Sequence, residues 1–166
     1  MNWPRRTSAF IGSVVFSLAL CLSVHTHASH YRLSSTPALL SKAEVKELKG
    51  EGILTTKALL DAIAGSKNRR SLAKRSKLSY KRLSALAFQC DLLRVTGLGP
   101  SAVLMLQGAG IKHSAILKRA EAERLHKKLL SLNQRAGKGD VVPSVSELSR
   151  WIQDAKGMRA LVDGAR

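Results

Sequence analysis

Aromatic residues are scarce in this chain: Phe, Trp and Tyr together make up 4% of its 166 residues. The sequence also lacks runs in which β-branched residues alternate with polar ones, which is the pattern of half-buried strands. Both absences argue against an all-β protein. Apolar residues nevertheless make up 45% of the chain, enough for one buried core. The composition therefore predicts one all-α domain.

Cysteine is almost absent, since the chain has only Cys21 and Cys90. Cys21 lies in a segment that we expect to be removed, which would leave Cys90 without a partner for an internal disulfide. Stability is then expected to come from packing. Cys90 lies on the apolar stripe of a predicted helix, so we interpret it as a small core residue and not as a nucleophile.

Patterns typical of enzymes are missing as well. No set of His, Cys, Asp and Glu has the spacing of a metal site, and no two carboxylates are placed to work as a pair. Glu121 and Glu123 point to different sides of a helix, and His113 and His126 are interpreted as surface or capping residues. The sequence predicts a protein that is not an enzyme, with no metal, no cofactor and no small-molecule substrate.

One long apolar run, from Ala9 to Val24, lies near the N-terminus. Arg5 and Arg6 precede it, and Thr26-His27-Ala28 follows it with small residues at the positions that signal peptidase reads. The run would rise about 24 Å as a helix, less than the roughly 30 Å of a hydrocarbon core. We therefore predict a signal peptide over residues 1–28 and an exported protein, periplasmic or extracellular. The alternative is a membrane-anchored form, held by the uncleaved segment or by a lipid on Cys21.

The charge is strongly one-sided, with 28 Lys and Arg against 11 Asp and Glu, a net charge of +17. Without Arg5 and Arg6 the mature part keeps +15, since the predicted signal peptide holds no acid. Such a balance favours polyanionic partners, whether DNA, RNA, anionic lipid or acidic polysaccharide.

An internal repeat organises the rest of the chain. The sequence of Leu48–Ile53 recurs in Leu106–Ile111 at an offset of 58 residues, and a second register relates Leu78-Ser79 to Pro143-Ser144. Each copy predicts a short helix that ends at a pair of glycines, where positive φ is accessible. The repeat therefore predicts two related helical units in tandem.

Capping residues mark where the later helices of each unit begin. Thr55 and Ser114 are predicted to cap the second helix of their units, and Ser79 caps the longer helix of the first unit. In the second unit, Ser144 and Glu147 form a capping box.

The ends of the chain and one connection are predicted to be irregular. Residues 29–37 are a flexible leader, within which Thr36 and Pro37 are the cap and first residue of a helix that runs to about Leu48. Arg135–Asp140 is a flexible loop, and residues 158–166 are a frayed tail.

The most specific motif is the stretch from Val95 to Ala102. Gly97 and Gly99 allow a tight turn between two helices, Leu98 inserts into the core, and Pro100 begins the next helix. The first amides of that helix lack internal partners, and the positive end of the helix dipole adds to their attraction for a phosphate oxygen. The alternative is a turn that only packs two helices together.

This Gly-Leu-Gly-Pro turn resembles the helix-hairpin-helix motif of non-specific DNA-binding proteins. A longer string closely resembles a bacterial helix-hairpin-helix family known as domain of unknown function 4332: Asp91–Arg94, Gly97–Pro100, Gly110-Ile111, Leu125-His126, Leu132-Asn133, Pro143 and Trp151-Ile152. The resemblance covers about Leu40 to Lys156 and carries no settled function.

The resemblance implies a compact all-α bundle of two tandem, SAM-like helix-hairpin-helix units over residues 38–157, the first at about 38–90 and the second at 91–157. DNA-binding hairpins often have lysine where this chain has Ser101. The first unit has Ser41-Lys42 in place of Gly-Pro, so its hairpin is expected to be degenerate.

Basic residues complete the predicted site. A cluster within residues 67–82 contains no acid, and two further cations flank the glycine turns; the sixteen predicted contacts are Gly97, Leu98, Gly99, Pro100, Ser101, Ala102, Arg94, Lys112, Lys67, Arg69, Arg70, Lys74, Arg75, Lys77, Lys81 and Arg82. Tyr80 offers a stacking surface. The leading hypothesis is sequence-independent binding of DNA or another polyanion. The alternative is a structural or protein-interaction module whose charge serves an acidic protein or the anionic envelope surface.

Overall fold

The computed structural model describes residues 30–137 and 139–165, and within them the secondary structure is helical. A 3₁₀ turn at Leu33–Ser35 precedes eight α-helices: α1 (Lys42–Gly50), α2 (Thr56–Ile63), α3 (Ser66–Arg75), α4 (Tyr80–Leu92), α5 (Pro100–Gly108), α6 (Ser114–Leu117), α7 (Ala122–Ala136) and α8 (Val145–Gly157). The prediction of an all-α protein is confirmed. The predicted signal peptide lies outside the described residues.

Helix bounds follow the two offsets of the internal repeat. Adding 58 to the bounds of α1 gives the bounds of α5, and adding 58 to the first residue of α2 gives the first residue of α6. Adding 65 to the bounds of α4 gives the bounds of α8. The repeated sequence therefore builds the same helices twice.

The glycine pairs end α1 and α5 in the same way. At the end of α1, the amide of Ile53 donates to the carbonyl of Leu48 at 2.9 Å, and the amide of Gly52 donates to the carbonyl of Lys49 at 3.0 Å. This is the pattern of a Schellman motif. Ile111 and Gly110 repeat both bonds at the end of α5. Gly52 and Gly110 have φ of +76° and +91°, so these positions favour glycine.

Several predicted helix starts are confirmed. Thr55 accepts from the Ala58 amide, Ser79 accepts from the Arg82 amide, and Ser144 with Glu147 forms a complete capping box. Ser114 is not the cap of its helix. It is the first residue of α6, and its amide donates to the carboxylate of Asp91, which belongs to α4.

The first helix begins later than Thr36-Pro37 predicted. Thr36 is buried in a turn, and its hydroxyl donates to the carbonyl of Leu33. Ser41 caps α1 instead, in a capping box with Glu44. The serine and glutamate three residues apart satisfy two amides at once, which Thr36 with a following proline cannot do.

Residues 30–37 pack against the bundle, unlike the predicted flexible leader. The amide of Leu33 donates to the carbonyl of Leu54 at 3.0 Å, and the Thr56 amide donates to the carbonyl of Tyr31 at 2.9 Å. Leu33 itself is buried in the core. One apolar side chain in a polar stretch is sufficient to anchor it, because two backbone bonds fix the chain on either side.

The predicted frayed tail also packs in its described part. Val162 is buried, and the Asp163 carboxylate accepts from the Ser66 amide at 2.8 Å, at the start of α3. This contact lowers the pKa of Asp163 below its usual value, because the Ser66 amide hydrogen-bonds the charged form. The tail therefore supplies the cap that α3 lacks in its own sequence, where Gly65 precedes the helix.

One core joins the helices, with α4 at its centre. This helix packs against α2, α3, α5 and α6, while α8 packs against α6 and α7. The α4 side chains Leu83, Leu86 and Cys90 are buried, as the apolar stripe predicted. Burial raises the pKa of the Cys90 thiol to about 12, so Cys90 is a protonated core residue.

Candidate anion-binding surface and hairpin

The hairpin, residues 95–100, connects α4 to α5 through one tight turn. The Leu98 amide donates to the carbonyl of Val95 at 3.1 Å, and Gly97 within the turn has φ of +77°. Leu98 is fully buried, and Pro100 is the first residue of α5. Gly99 has φ of −88°, an extended conformation open to any residue. Gly97 is thus the position whose backbone requires glycine.

Other parts of the chain already cover the turn. The Thr96 amide donates to the Asp154 carboxylate of α8 at 2.6 Å, and the Tyr31 hydroxyl donates to the carbonyl of Leu98 at 3.4 Å. A β-carbon built on Gly97 would lie 3.8 Å from Trp151 Nε1. The turn is therefore a packing point between α8 and the N-terminal segment, with a carboxylate on one of its amides.

The start of α5 keeps amides without a side-chain cap. Gly99 offers no capping side chain, and the first amide bonded within the helix is that of Val103, which donates to the carbonyl of Gly99. The amides of Ser101 and Ala102 come before Val103 in the first turn, where amides have no acceptor within the helix. At the start of α1, in contrast, the Ser41 side chain accepts from the Glu44 amide. Of these two related starts, α5 is the one suited to receive an anion.

An apolar groove of about 770 Å³ lies beside the start of α5. Its walls come from α5, from α7 and from the connection between α7 and α8, and they include Met105, Leu129 and Leu132. Leu104 and Val141, which also line it, are 40% and 92% exposed. The groove offers contact to apolar groups, in addition to whatever the α5 amides bind.

Half of the predicted basic cluster is held by the protein itself. Arg82 pairs with Glu44, Arg75 pairs with Glu51 at 3.0 Å, and Lys77 lies 3.6 Å from Glu47. Glu44 and Glu47 lie on α1, and Glu51 follows its last residue. The absence of acid within residues 67–82 is therefore compensated from another helix.

Arg69 is a structural residue and not a surface cation. Its side chain is buried, and its guanidinium donates to the carbonyls of Ile63 and Ala64, each at 2.8 Å, and of Asp163 at 3.0 Å. Arg69 thus joins the end of α2 to the tail. It is not available to a ligand, contrary to the prediction.

The exposed remainder of the cluster forms a surface that we call the α3 ridge: Lys67, Arg70, Lys74 and Lys81. The three residues of α3 are spaced i, i+3 and i+7, so they share one face of that helix. None of the four has an acidic partner in the described part of the chain. The Arg70 guanidinium lies 5.8 Å from the centre of the Tyr80 ring, which is 39% exposed.

The two cations predicted to flank the hairpin turns differ in their surroundings. Arg94 donates to Asp91 at 2.8 Å and to the carbonyl of Arg159 at 3.0 Å, so it is engaged within the fold. Lys112 is exposed. Its backbone carbonyl accepts a hydrogen bond from the Gln107 side chain, which leaves the ammonium group open to solvent.

A buried polar centre lies between α4 and α6. Asp91 accepts from the Ser114 amide and hydroxyl and from Arg94. His113 beside it is buried against Phe88, with ring centroids 5.2 Å apart. Burial lowers the pKa of His113, since it penalises the charged imidazolium. These groups are closed to solvent, which suits a structural role. In the described residues, no His, Cys, Asp and Glu group is arranged to hold a metal.

Sequence reasoning missed a second exposed basic surface. We call it the α7 patch: Arg119, Arg124, Lys127 and Lys128. Three of its members line one small cavity of about 310 Å³ next to the Gly110 turn. The spacing of Arg124, Lys127 and Lys128 at i, i+3 and i+4 on a helix was the available signal.

Comparison with known proteins identifies the family of this chain. A model of the family described as a domain of unknown function (DUF4332) matches residues 39–158. The chain belongs to this family. No curated protein matches it, and neither does any solved structure. Membership of the DUF4332 family agrees with the resemblance seen in the sequence and brings no activity with it.

The hairpin and the α3 ridge lie at opposite ends of one helix in this DUF4332 domain. Tyr80, beside the ridge, begins α4, and the hairpin follows the last residue of α4. Thirteen residues of helix rise about 20 Å. The structure therefore does not bring the two parts of the predicted site together at one point. Among the described helices, none has the length and apolar character to cross a membrane.

Proposed function

We propose that this protein is a non-enzymatic binding module that binds DNA or another polyanion without regard to sequence, through the cations of the α3 ridge. The observation that carries the proposal is the shared outer face of Lys67, Arg70 and Lys74, extended by Lys81, with no acid paired to any of them in the described part of the chain. The remaining net charge of +15 after residue 28 adds long-range attraction.

The expected affinity follows from counterion release. Each phosphate neutralised on duplex DNA contributes about −0.9 to the slope of log K against log salt, so four ridge cations give a slope of roughly −3 to −4. Binding of this kind has Kd values of about 10⁻⁴ to 10⁻⁶ M at physiological salt. Tyr80 adds a ring on which an unpaired base can stack.

We propose further that the hairpin, with the end of α4 before it and α5 after it, is the helix-hairpin-helix of the second of two tandem units, which cover about residues 38–90 and 91–157. The matching helix bounds at offsets of 58 and 65 support this division. The amides of Ser101 and Ala102 supply a second, weaker contact for phosphate at the far end of α4. The carboxylate of Asp154 at Thr96 opposes an anion bound any closer to the turn.

Export by cleavage after residue 28 is also proposed, on the sequence of residues 1–28. Mass spectrometry of the protein purified from its native host tests it. Cleavage gives a chain that starts at Ser29, whereas a full-length or lipid-bearing chain would support the anchored form.

The test of polyanion binding is a salt series with duplex and single-stranded DNA. A ridge variant changes Lys67, Arg70, Lys74 and Lys81 to alanine, and a matched control removes four exposed lysines elsewhere: Lys42, Lys46, Lys49 and Lys156. We expect the ridge variant to lose about tenfold in affinity, while the control loses much less. No DNA binding at low salt, or equal loss in both variants, would contradict the proposal.

The second candidate function is a structural or protein-interaction module, and the apolar groove beside α5 favours it. In that case the groove would contact the partner, and the charge would serve an acidic protein or the anionic envelope surface. Leu104→Ser separates the two, because it removes apolar surface from the groove wall and adds no charge beside the Ser101 and Ala102 amides, which line the same groove. DNA binding is expected to be unchanged by it, whereas association with a protein partner would be lost.

A further inference from the structure

The α7 patch is built from two elements that converge on one cavity. Arg119 comes from the connection after α6, while Arg124 and Lys128 come from the first turns of α7. Lys128 Nζ lies 3.8 Å from where a β-carbon on Gly110 would be, so the ammonium group reaches the turn at the end of α5. The patch is thus one continuous basic surface around the Gly110 turn.

Two exposed acids, Glu121 and Glu123, lie beside the four cations of this patch, and Glu121 lines the same cavity. Glu121 lies 3.7 Å from Arg124, but both side chains are mostly exposed, so solvent screens this pair. Arg119, Lys127 and Lys128 have no acidic partner in the described part of the chain. The patch differs in this respect from the cations at residues 75–82, where Arg82 and Arg75 are hydrogen-bonded to Glu44 and Glu51.

The two basic surfaces belong to different parts of the bundle. The α3 ridge lies on a helix that packs against α2 and α4, whereas α7 packs against α5 and α8. No packing contact joins α3 to α7 among the described helices. A domain of this size is about 35 Å across, which is wide enough for two rigid polyanions to be held on different helices.

We propose that one molecule of this protein bridges two duplex DNA segments, the first held by the α3 ridge and the second by the α7 patch. This inference rests on the proposed function, because it requires the ridge to bind DNA. A duplex is the partner that we infer for the ridge: Lys67 to Lys74 spans about 10 Å of helix, and duplex DNA carries about six phosphate charges on its two strands over that length of its axis.

The test uses the full chain and two short duplexes, one fixed to beads and one free and fluorescent. The protein should capture the free duplex on the beads, with a maximum at intermediate protein concentration. Above that concentration each duplex is saturated separately and capture falls. Sedimentation at the same concentrations establishes whether the protein is a monomer, since self-association would also join two duplexes.

Two triple variants separate the surfaces. The triple ridge variant combines Lys67→Ala, Arg70→Ala and Lys74→Ala. The α7 patch variant combines Arg124→Ala, Lys127→Ala and Lys128→Ala. We expect each to retain binding of a single duplex with about a tenfold loss or less, and to lose bridging almost completely. Glutamine versions of both, compared by circular dichroism, serve as folded substitutes if an alanine variant unfolds.

The outcomes are distinguishable. A wild-type protein that binds no single duplex refutes the proposed function and this inference together. A wild-type protein that binds one duplex and never captures the second refutes only the bridging. Undiminished bridging by the α7 patch variant, or bridging that follows protein self-association, also overturns it. Anionic vesicles added at equal charge give a last outcome. If they abolish capture of the second duplex and leave single-duplex binding intact, the α7 patch is assigned to a lipid surface instead.

Discussion

Asp91 accepts two hydrogen bonds from Ser114, one from its amide at 2.9 Å and one from its hydroxyl at 2.5 Å, in the interior of the bundle. The same carboxylate pairs with Arg94 at 2.8 Å. A residue at the end of α4 therefore fixes the start of α6 and the approach to the hairpin together. Because Asp91 is fully buried, its bonds are not exchanged for water.

Removal of that carboxylate is expected to be costly. Asp91→Ala leaves Arg94 and the Ser114 amide without their partner, and we expect a loss of about 3–5 kcal/mol in the free energy of unfolding. The exposed pair of Lys57 and Asp61 gives the control, since Asp61→Ala should cost about 1 kcal/mol or less. Urea denaturation of both variants measures the difference, and equal midpoints would show that the buried pair contributes nothing special.

Stability should fall at acid pH through Glu44. Its hydrogen bond with Arg82 lowers the pKa of Glu44 from 4.5 to about 2. A lowered pKa in the folded state contributes stability that is present above pH 4.5 and is lost as the pH falls toward 2. We expect this contribution to be about 1–2 kcal/mol, because the pair is partly open to solvent.

Glu44→Gln is the variant that isolates this contribution. It should be less stable than the wild type at neutral pH and equally stable near pH 2, as followed by thermal unfolding across the pH range. Glutamine can keep the capping box with Ser41, so a difference that stays constant with pH would show that ionisation of Glu44 contributes nothing to stability.

Two glycines near the hairpin should respond in opposite directions to alanine. Gly97 has φ of +77°, so Gly97→Ala is expected to destabilise the protein by about 1–2 kcal/mol. Gly108 is the last residue of α5, and a β-carbon there would meet nothing within 4 Å. Gly108→Ala should therefore stabilise the protein by up to about 1 kcal/mol. Calorimetric Tm values test both, and a shift of the same sign would refute the backbone argument.

Neighbouring arginines on α3 should separate stability from binding. Arg69→Lys removes a fork that donates to three carbonyls, and we expect a loss of about 2 kcal/mol because lysine cannot reproduce that geometry. Arg70→Lys should leave the free energy of unfolding unchanged. Arg70→Ala should weaken DNA binding at equal stability. An Arg69→Lys protein with wild-type stability would show that the tail is not held by this residue.

Local signals predicted much of the fold. The glycine pairs after Leu48 and Leu106 and the cap residues Ser79 and Ser144 each act within one helical turn, so the sequence around them is sufficient to predict the local geometry. The repeat carried this information twice.

Long-range partners account for what the sequence did not predict. The acceptor at the start of α6 lies 23 residues earlier, at Asp91, and the one at the start of α3 lies 97 residues later, at Asp163. Neither separation has a periodicity that could reveal it. The pairing of Arg82 with Glu44 and of Arg75 with Glu51 required knowing which helices are neighbours.

Both ends of the described chain are attached to α2. Residues 31–33 bond beside its first turn, and Asp163 bonds just after its last, about 12 Å away. The described chain is thus closed almost into a ring, and a short linker would join residues 30 and 165. A circular permutant opened near Gly137 should keep its helices. Force applied at residues 30 and 165 would strain these few hydrogen bonds, at α2 and at the start of α3, before it reached the α7 patch.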